Sequence, residues 1–179
     1  MKKLVPALLA VSAVLAAPAA MADDWYVDGG YSFINIDVDT GAGSADLDLG
    51  AIGGHVGYNF TDYLGVEGEL LIGVQDEEAT QGALTASVGL NYLVGAYGKL
   101  QAPLGDRASV FARAGIVNAE AEVSLTGFGS ESDSETGAGY GLGGMFQINE
   151  NLYVRGDYTR YDIEDLEADT FMIGVGLAY

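Results

Sequence analysis

The sequence predicts an all-β protein, an eight-stranded antiparallel β-barrel that crosses a membrane with its strands. Three observations carry this. Apolar residues alternate with small or polar ones at period two along most of the chain, and no segment keeps a 3.6-residue apolar stripe. The connections alternate between short turns and long acidic loops. One face of each strand whose two faces can be sorted is aliphatic or aromatic, while the other is rich in glycine with charges set into it.

The chain opens on a segment of a different kind. Lys2 and Lys3 precede an apolar run from Val5 to Ala17, and AAMA (19–22) puts small residues at −3 and −1 before Asp23. This is the pattern of a bacterial secretory signal peptide, with cleavage expected after Ala22. Residues 1–22 are thus set apart from a single mature domain, 23–179. Their removal takes away two lysines and leaves five basic residues against 26 acidic ones. Such a balance argues against nucleic acid as a partner, because phosphate binding needs clustered Lys and Arg. Without cysteine, the exported chain has neither disulfides nor thiolate metal sites. Mean hydropathy is +0.20 in spite of the acidity. No apolar run after the signal reaches the ~18 residues that mark a candidate membrane helix.

The predicted strands run 25–36, 48–60, 64–74, 84–101, 107–119, 136–148, 152–161 and 169–179, and parity sorts their faces. In the second, Ile52, Val56, Tyr58 and Phe60 oppose Ala51, Gly53, His55, Gly57 and Asn59. In the third, Leu64, Val66, Leu70, Ile72 and Val74 oppose Gly65, Glu67, Glu69 and Gly73. The fourth sets Val88, Leu90, Tyr92, Val94 and Leu100 against Ser87, Gly89, Asn91, Tyr97 and Lys99. The fifth sets Val110, Ala112, Ala114 and Ile116 against Ser109, Phe111, Arg113 and Gly115. The seventh opposes Leu152, Val154 and Tyr158 to Tyr153, Arg155, Asp157 and Thr159. The last, TFMIGVGLAY (170–179), alternates large apolar residues with mostly small ones and ends on Tyr179.

TDY (61–63), APLGD (102–106) and NEN (149–151) are short and made of turn-forming residues. The segments 37–47, 75–83, 120–135 and 162–169 are longer and acidic. Short turns at one end and long loops at the other is the asymmetry of an outer-membrane barrel, with both termini on the periplasmic side. Trp25, Tyr58, Phe60, Phe146 and Tyr179 fall toward the short-turn end, and Phe33, Tyr140, Tyr158 and Phe171 toward the loops. Two aromatic girdles around an aliphatic band fit two bilayer interfaces. The apolar face is therefore expected to meet lipid, and the glycine-rich ionic face to line a narrow interior. A soluble lipocalin-like barrel would turn these faces the other way.

VGYNFTDYLGVEGELLIG (56–73) resembles the second hairpin of OmpA/OmpX-type outer-membrane β-barrel domains, within the small porin family. FQINENLYVRGDYTRYD (146–162) and the final IGVGLAY resemble the later strands of the same group. The likeness spans the mature chain and rests on hairpin patterns. It implies a Gram-negative outer-membrane location, a monomer among outer-membrane lipids and lipopolysaccharide, and Tyr179 as the terminal aromatic read by the barrel-assembly machinery. No counterpart of the periplasmic domain of full-length OmpA-like proteins is expected, and the terminal residue is Tyr where Phe is commoner in the group it resembles.

Parity places Asp28, Glu67, Glu69 and Asp157 in the interior together with Lys99, Arg113 and Arg155, with Arg107 near the periplasmic rim. Interior charges must pair, since isolated ones cost several kcal/mol even after relaxation. The expected result is a lumenal ionic network that plugs the barrel. The resemblance implies a second possibility, a gate in which Arg partners exchange and open a small ion path. No catalytic residue, cofactor or metal site is expected. His55, the only histidine, lies on inward parity, whereas a lipid A-modifying enzyme would need it facing lipid near the loops. DVDTGAGSADLD (37–48) has Asp at calcium-loop positions 1, 3 and 12 but Gly at position 5 in place of 6, a weak match. Looser contacts of divalent cations with the acidic loops are the broader expectation.

The functional expectation is therefore an envelope barrel with a structural role and at most a small-solute pore. The alternative is a surface adhesion or interaction protein acting through its acidic loops.

Overall fold

The structure is a computed structural model describing residues 24–39, 44–81, 84–125, 129–164 and 166–179. The signal segment lies outside the described residues, as does part of the 37–48 calcium-loop match. The strands are β1 (Trp25–Asp39), β2 (Ser44–Asn59), β3 (Leu64–Gln75), β4 (Glu77–Gln81), β5 (Leu84–Pro103), β6 (Ala108–Leu125), β7 (Gly129–Gln147), β8 (Leu152–Ile163) and β9 (Leu166–Ala178). All pairings are antiparallel. Both β3 and β4 pair with β5, so they are two pieces of one stave interrupted at Asp76. With β1 bonded to β9 and β3 to β5, eight staves close into a barrel.

Two of the three short turns are tied by their own side chains. Thr61 Oγ1 accepts from the N–H groups of Tyr63 and Leu64 at 3.2 and 3.0 Å. Asn149 Oδ1 accepts from those of Asn151 and Leu152 at 3.1 and 2.9 Å. Gly105, at φ +86°, turns the chain where a side chain would be strained. At the seam, the Tyr179 N–H donates to Trp25 O at 2.9 Å, and Asn151 Nδ2 donates to Ala178 O at 3.0 Å. The terminal aromatic is thereby fixed beside the first residue of β1.

The outward face is apolar, with Ile116 68% and Leu142 64% exposed in the isolated chain. Phe33, Phe171 and Tyr158 are successive cross-strand partners and form part of one girdle. Just beyond them toward the loops, Arg160 Nε donates to Asp169 Oδ1 at 2.8 Å, and Asn35 Nδ2 to Asp48 Oδ1 at 3.0 Å. Asp169 and Tyr179 are ten positions apart. At ~3.3 Å per residue and a tilt of about 40°, they span about 25 Å of depth, the height of an outer-membrane apolar band.

Three expectations are corrected. The acidic segments 37–47, 75–83 and 120–135 are mostly strand. Their hairpins go on pairing beyond the girdle, to Asp39↔Ser44, Gln81↔Leu84 and Leu125↔Gly129. Continued pairing satisfies the backbone, and residues such as Val123, Thr80 and Thr85 suit it. Second, a bulge between Leu90 and Tyr92 shifts the β5–β6 register. Leu90, expected to face lipid, packs against buried apolar residues instead. Asn91, expected inward, donates to Glu120 Oε1 at 2.9 Å. A bulge inserts one residue and so exchanges the faces upstream of it.

The third correction concerns the interior, which is not charged throughout. Its outer half is an apolar layer built on Ile34, Leu49, Leu71, Leu93, Val117 and Ile163, with Tyr161 and Tyr97 at its edge. The charges lie below this layer, toward the periplasm.

Candidate functional site

Below the apolar layer, register assembles the site row by row. Asp28, His55 and Glu69 are consecutive partners across β1, β2 and β3. Gly57, Glu67 and Tyr97 form the next row across β2, β3 and β5. Lys99 stands opposite Arg113 on β6. Arg155 and Asp157 lie two residues apart on β8 and share one face. All seven charged residues assigned to the interior by parity are buried there.

Arg155 and Arg113 are the hubs. Arg155 donates through Nε to Asp157 Oδ1 at 2.6 Å, and through Nη1 to Glu67 Oε2 at 2.7 Å and Asp28 Oδ2 at 3.3 Å. Its Nη2 reaches Glu67 Oε1 at 3.0 Å. Arg113 donates to Glu67 Oε1 and Glu69 Oε1, both at 2.8 Å, to Thr159 Oγ1 at 2.7 Å and to Asp157 Oδ2 at 3.2 Å. Each guanidinium also lies over a ring, Arg113 over Tyr97 at 4.6 Å and Arg155 over Phe111 at 4.5 Å. Planar, always charged and carrying five donors, arginine suits a site where several carboxylates converge.

His55 completes the network. Its Nδ1 lies 2.6 Å from Asp28 Oδ1 and its Nε2 3.0 Å from Glu69 Oε1. A neutral imidazole has a single N–H, so donating to both carboxylates requires the imidazolium. Four cations then face four carboxylates, and the interior is neutral overall. Tyrosine hydroxyls supply the remaining donors. Tyr26 bonds to Glu67 at 2.6 Å, Tyr153 to Asp28 at 2.9 Å and Tyr161 to Glu69 at 3.1 Å; Tyr97 also bonds to Glu69.

The inward glycines act as seats for these rings. A β-carbon on Gly57 would overlap the Tyr26 ring, and one on Gly176 the Tyr153 ring. The space beside Gly176 is thus taken by Tyr153 and is not open lumen.

Lys99 stands apart. It is 1% exposed, and its Nζ has no hydrogen-bond partner among the described residues. The ammonium lies 4.0 Å from the centre of the Tyr26 ring, on the periplasmic side of the cluster. Like charges directly opposite repel, and here Arg113 turns to the carboxylates while Lys99 turns to the ring. Arg107 is exposed at the rim. Sequence reading makes His55 a hydrogen-bonded lumen residue outside the ionic network and gives Thr159 and the four tyrosines no part in it, although their parity matches that of the charged residues.

A family model described as outer membrane protein beta-barrel domain matches residues 7–178. No curated protein matches the sequence. Among solved structures, Ail, the attachment invasion locus protein of Yersinia pestis, is similar with a TM-score of 0.66 at 21% identity, covering 89% of this chain and 100% of that one. Ail in complex with the heparin analogue sucrose octasulfate aligns at 22% identity and the same TM-score, with the same coverage of both chains. Neisserial surface protein A has a TM-score of 0.61 at 15% identity, covering 87% of this chain and 97% of its own. A closed eight-stave barrel, an apolar belt of outer-membrane height and a match over nearly the whole chain lead to one assignment: this chain belongs to the outer membrane β-barrel domain family and resides in the outer membrane.

Proposed function

We propose that this protein is a closed envelope barrel that acts at its surfaces and passes at most very small solutes. The observation that carries this reading is the doubly filled interior, an ionic layer of mutually paired side chains capped by an apolar layer. An ion crossing it would have to break the pairs and also enter a dry apolar cap stripped of its hydration. The gate reading addresses only the first barrier. Residues 1–22 act as the export signal in this proposal, and Tyr179 as the terminal aromatic read during assembly. His55 has no catalytic role, because both ring nitrogens are engaged by carboxylates away from lipid.

A second reading, adhesion through the loops, is favoured by the likeness to Ail, an attachment invasion locus protein. The chemistry of a partner would differ from that of the heparin analogue. The segments 37–48, 75–83, 120–135 and 162–169 hold 17 carboxylates and no Lys or Arg. Such a rim repels polyanions and suits basic surfaces or divalent cations that bridge it to lipopolysaccharide. Replacing residues 120–135 by a two-residue Asn-Gly turn separates the readings. Attachment to a basic surface should fall while resistance of the cells to detergent is unchanged if the loops carry the function. Loss of detergent resistance with attachment intact would assign the protein to envelope stability alone.

A further inference from the structure

We propose that the periplasmic mouth of the barrel is an oxyanion-binding site in which Lys99 Nζ receives a carboxylate or phosphate oxygen. A cavity of about 270 Å³ opens there, lined among others by Lys99, Asn59, Gln101 and Arg107. Lys99 supplies the fourth positive charge of the interior, yet its Nζ makes none of the interior's hydrogen bonds among the described residues. Asp28, Glu67, Glu69 and Asp157 are each bonded to His55, Arg113 or Arg155, so the interior has no free carboxylate to offer it. An ammonium at 1% exposure, with the Tyr26 ring at 4.0 Å and the Phe111 ring at 5.9 Å but no hydrogen-bond acceptor among the described residues, is under-compensated for the loss of its hydration.

Register shapes the space around it. Asn59, Gly65 and Lys99 are consecutive cross-strand partners, and Asn59 Oδ1 leans over the glycine, 2.8 Å from where a β-carbon would stand. Asn59 Oδ1 is also buried and without a partner among the described residues. A ligand that presents a charged oxygen to Lys99 and an O–H or N–H to Asn59 would satisfy both. Arg107 adds positive charge at the opening, with Asp106 beside it as the opposing charge on the lining. Two of the five basic residues beyond the signal segment thus line this one cavity of a strongly acidic protein. The amide of Gln101 is already engaged, donating to Asp62 O at 3.2 Å, and so helps to fix the wall.

The test uses the folded barrel in nanodiscs, isotope-labelled, titrated separately with inorganic phosphate and with acetate against sodium chloride of matched ionic strength. Saturable shifts are expected at the amides of Gly65, Lys99 and Gln101, with millimolar affinity. Lys99→Met should weaken binding about tenfold, the loss of one charged hydrogen bond. Arg107→Ala, an exposed change that leaves the interior intact, should weaken it about threefold by removing long-range attraction. Saturation by phosphate alone assigns a phosphoryl ligand, by acetate alone a carboxylate ligand, and by both a general oxyanion site. No saturable shift beyond that of chloride overturns the proposal, as does affinity unchanged in Lys99→Met. Should that variant fail to fold, unchanged affinity in Arg107→Ala overturns it instead.

Discussion

Arg155→Met is expected to lower the unfolding free energy by about 3–5 kcal/mol, the usual consequence of removing one partner from a buried ion cluster. Arg155 makes four hydrogen bonds to three carboxylates, and Asp28, Glu67 and Asp157 would keep their charge without it. Methionine roughly fills the volume, so the loss reports unpaired charge rather than a cavity. The measurement is urea unfolding in lipid vesicles, followed by the heat-dependent gel mobility of the folded barrel. Adding Glu67→Gln should recover part of the loss, because the double variant has one fewer uncompensated carboxylate. A loss below about 1 kcal/mol would mean that water already solvates these groups.

Gly57→Val is expected to rank next in effect, at about 1–3 kcal/mol or more. The valine would take the space of the Tyr26 ring, which bonds to Glu67 through its hydroxyl and covers Lys99 with its face. Displacing that ring disturbs the ionic layer and the periplasmic mouth together. Gly98→Val is the matched control. Gly98 faces outward with only Ala114 O near a new β-carbon, at 3.9 Å, so the change should be nearly neutral in a bilayer. Equal losses at both positions would show that strand propensity, and not the seat under Tyr26, sets the cost.

Much of the architecture was legible because a strand has period two and a barrel in lipid turns each parity class to a different solvent. Asp28 and Asp157, far apart in sequence, could be placed in one interior from parity alone. The girdles and the alternation of connections were legible for the same reason. Register was not. Which carboxylate meets which arginine depends on the stagger between staves, and the row Asp28–His55–Glu69 exists only once β1, β2 and β3 are aligned. Leu90 and Asn91 were misassigned because one bulged residue, invisible to periodicity, exchanges the faces. The apolar cap escaped notice because Leu71 and Leu93 share parity with charged neighbours and were overshadowed by them. The acidic segments looked like loops on composition, yet hairpins keep pairing in water when their residues tolerate it.

The claim on which the functional reading rests is that the interior is closed twice, by ion pairs and by an apolar cap. Single-channel recording in planar bilayers tests it most directly, with the wild type, Glu67→Gln and Arg113→Ala compared at neutral pH. No discrete conductance steps are expected in any of the three, because each variant leaves the cap of Ile34, Leu71, Leu93 and Val117 in place. Regular steps in the wild type that change size or frequency in Glu67→Gln or Arg113→Ala would contradict the account, and would make the ionic layer a gate.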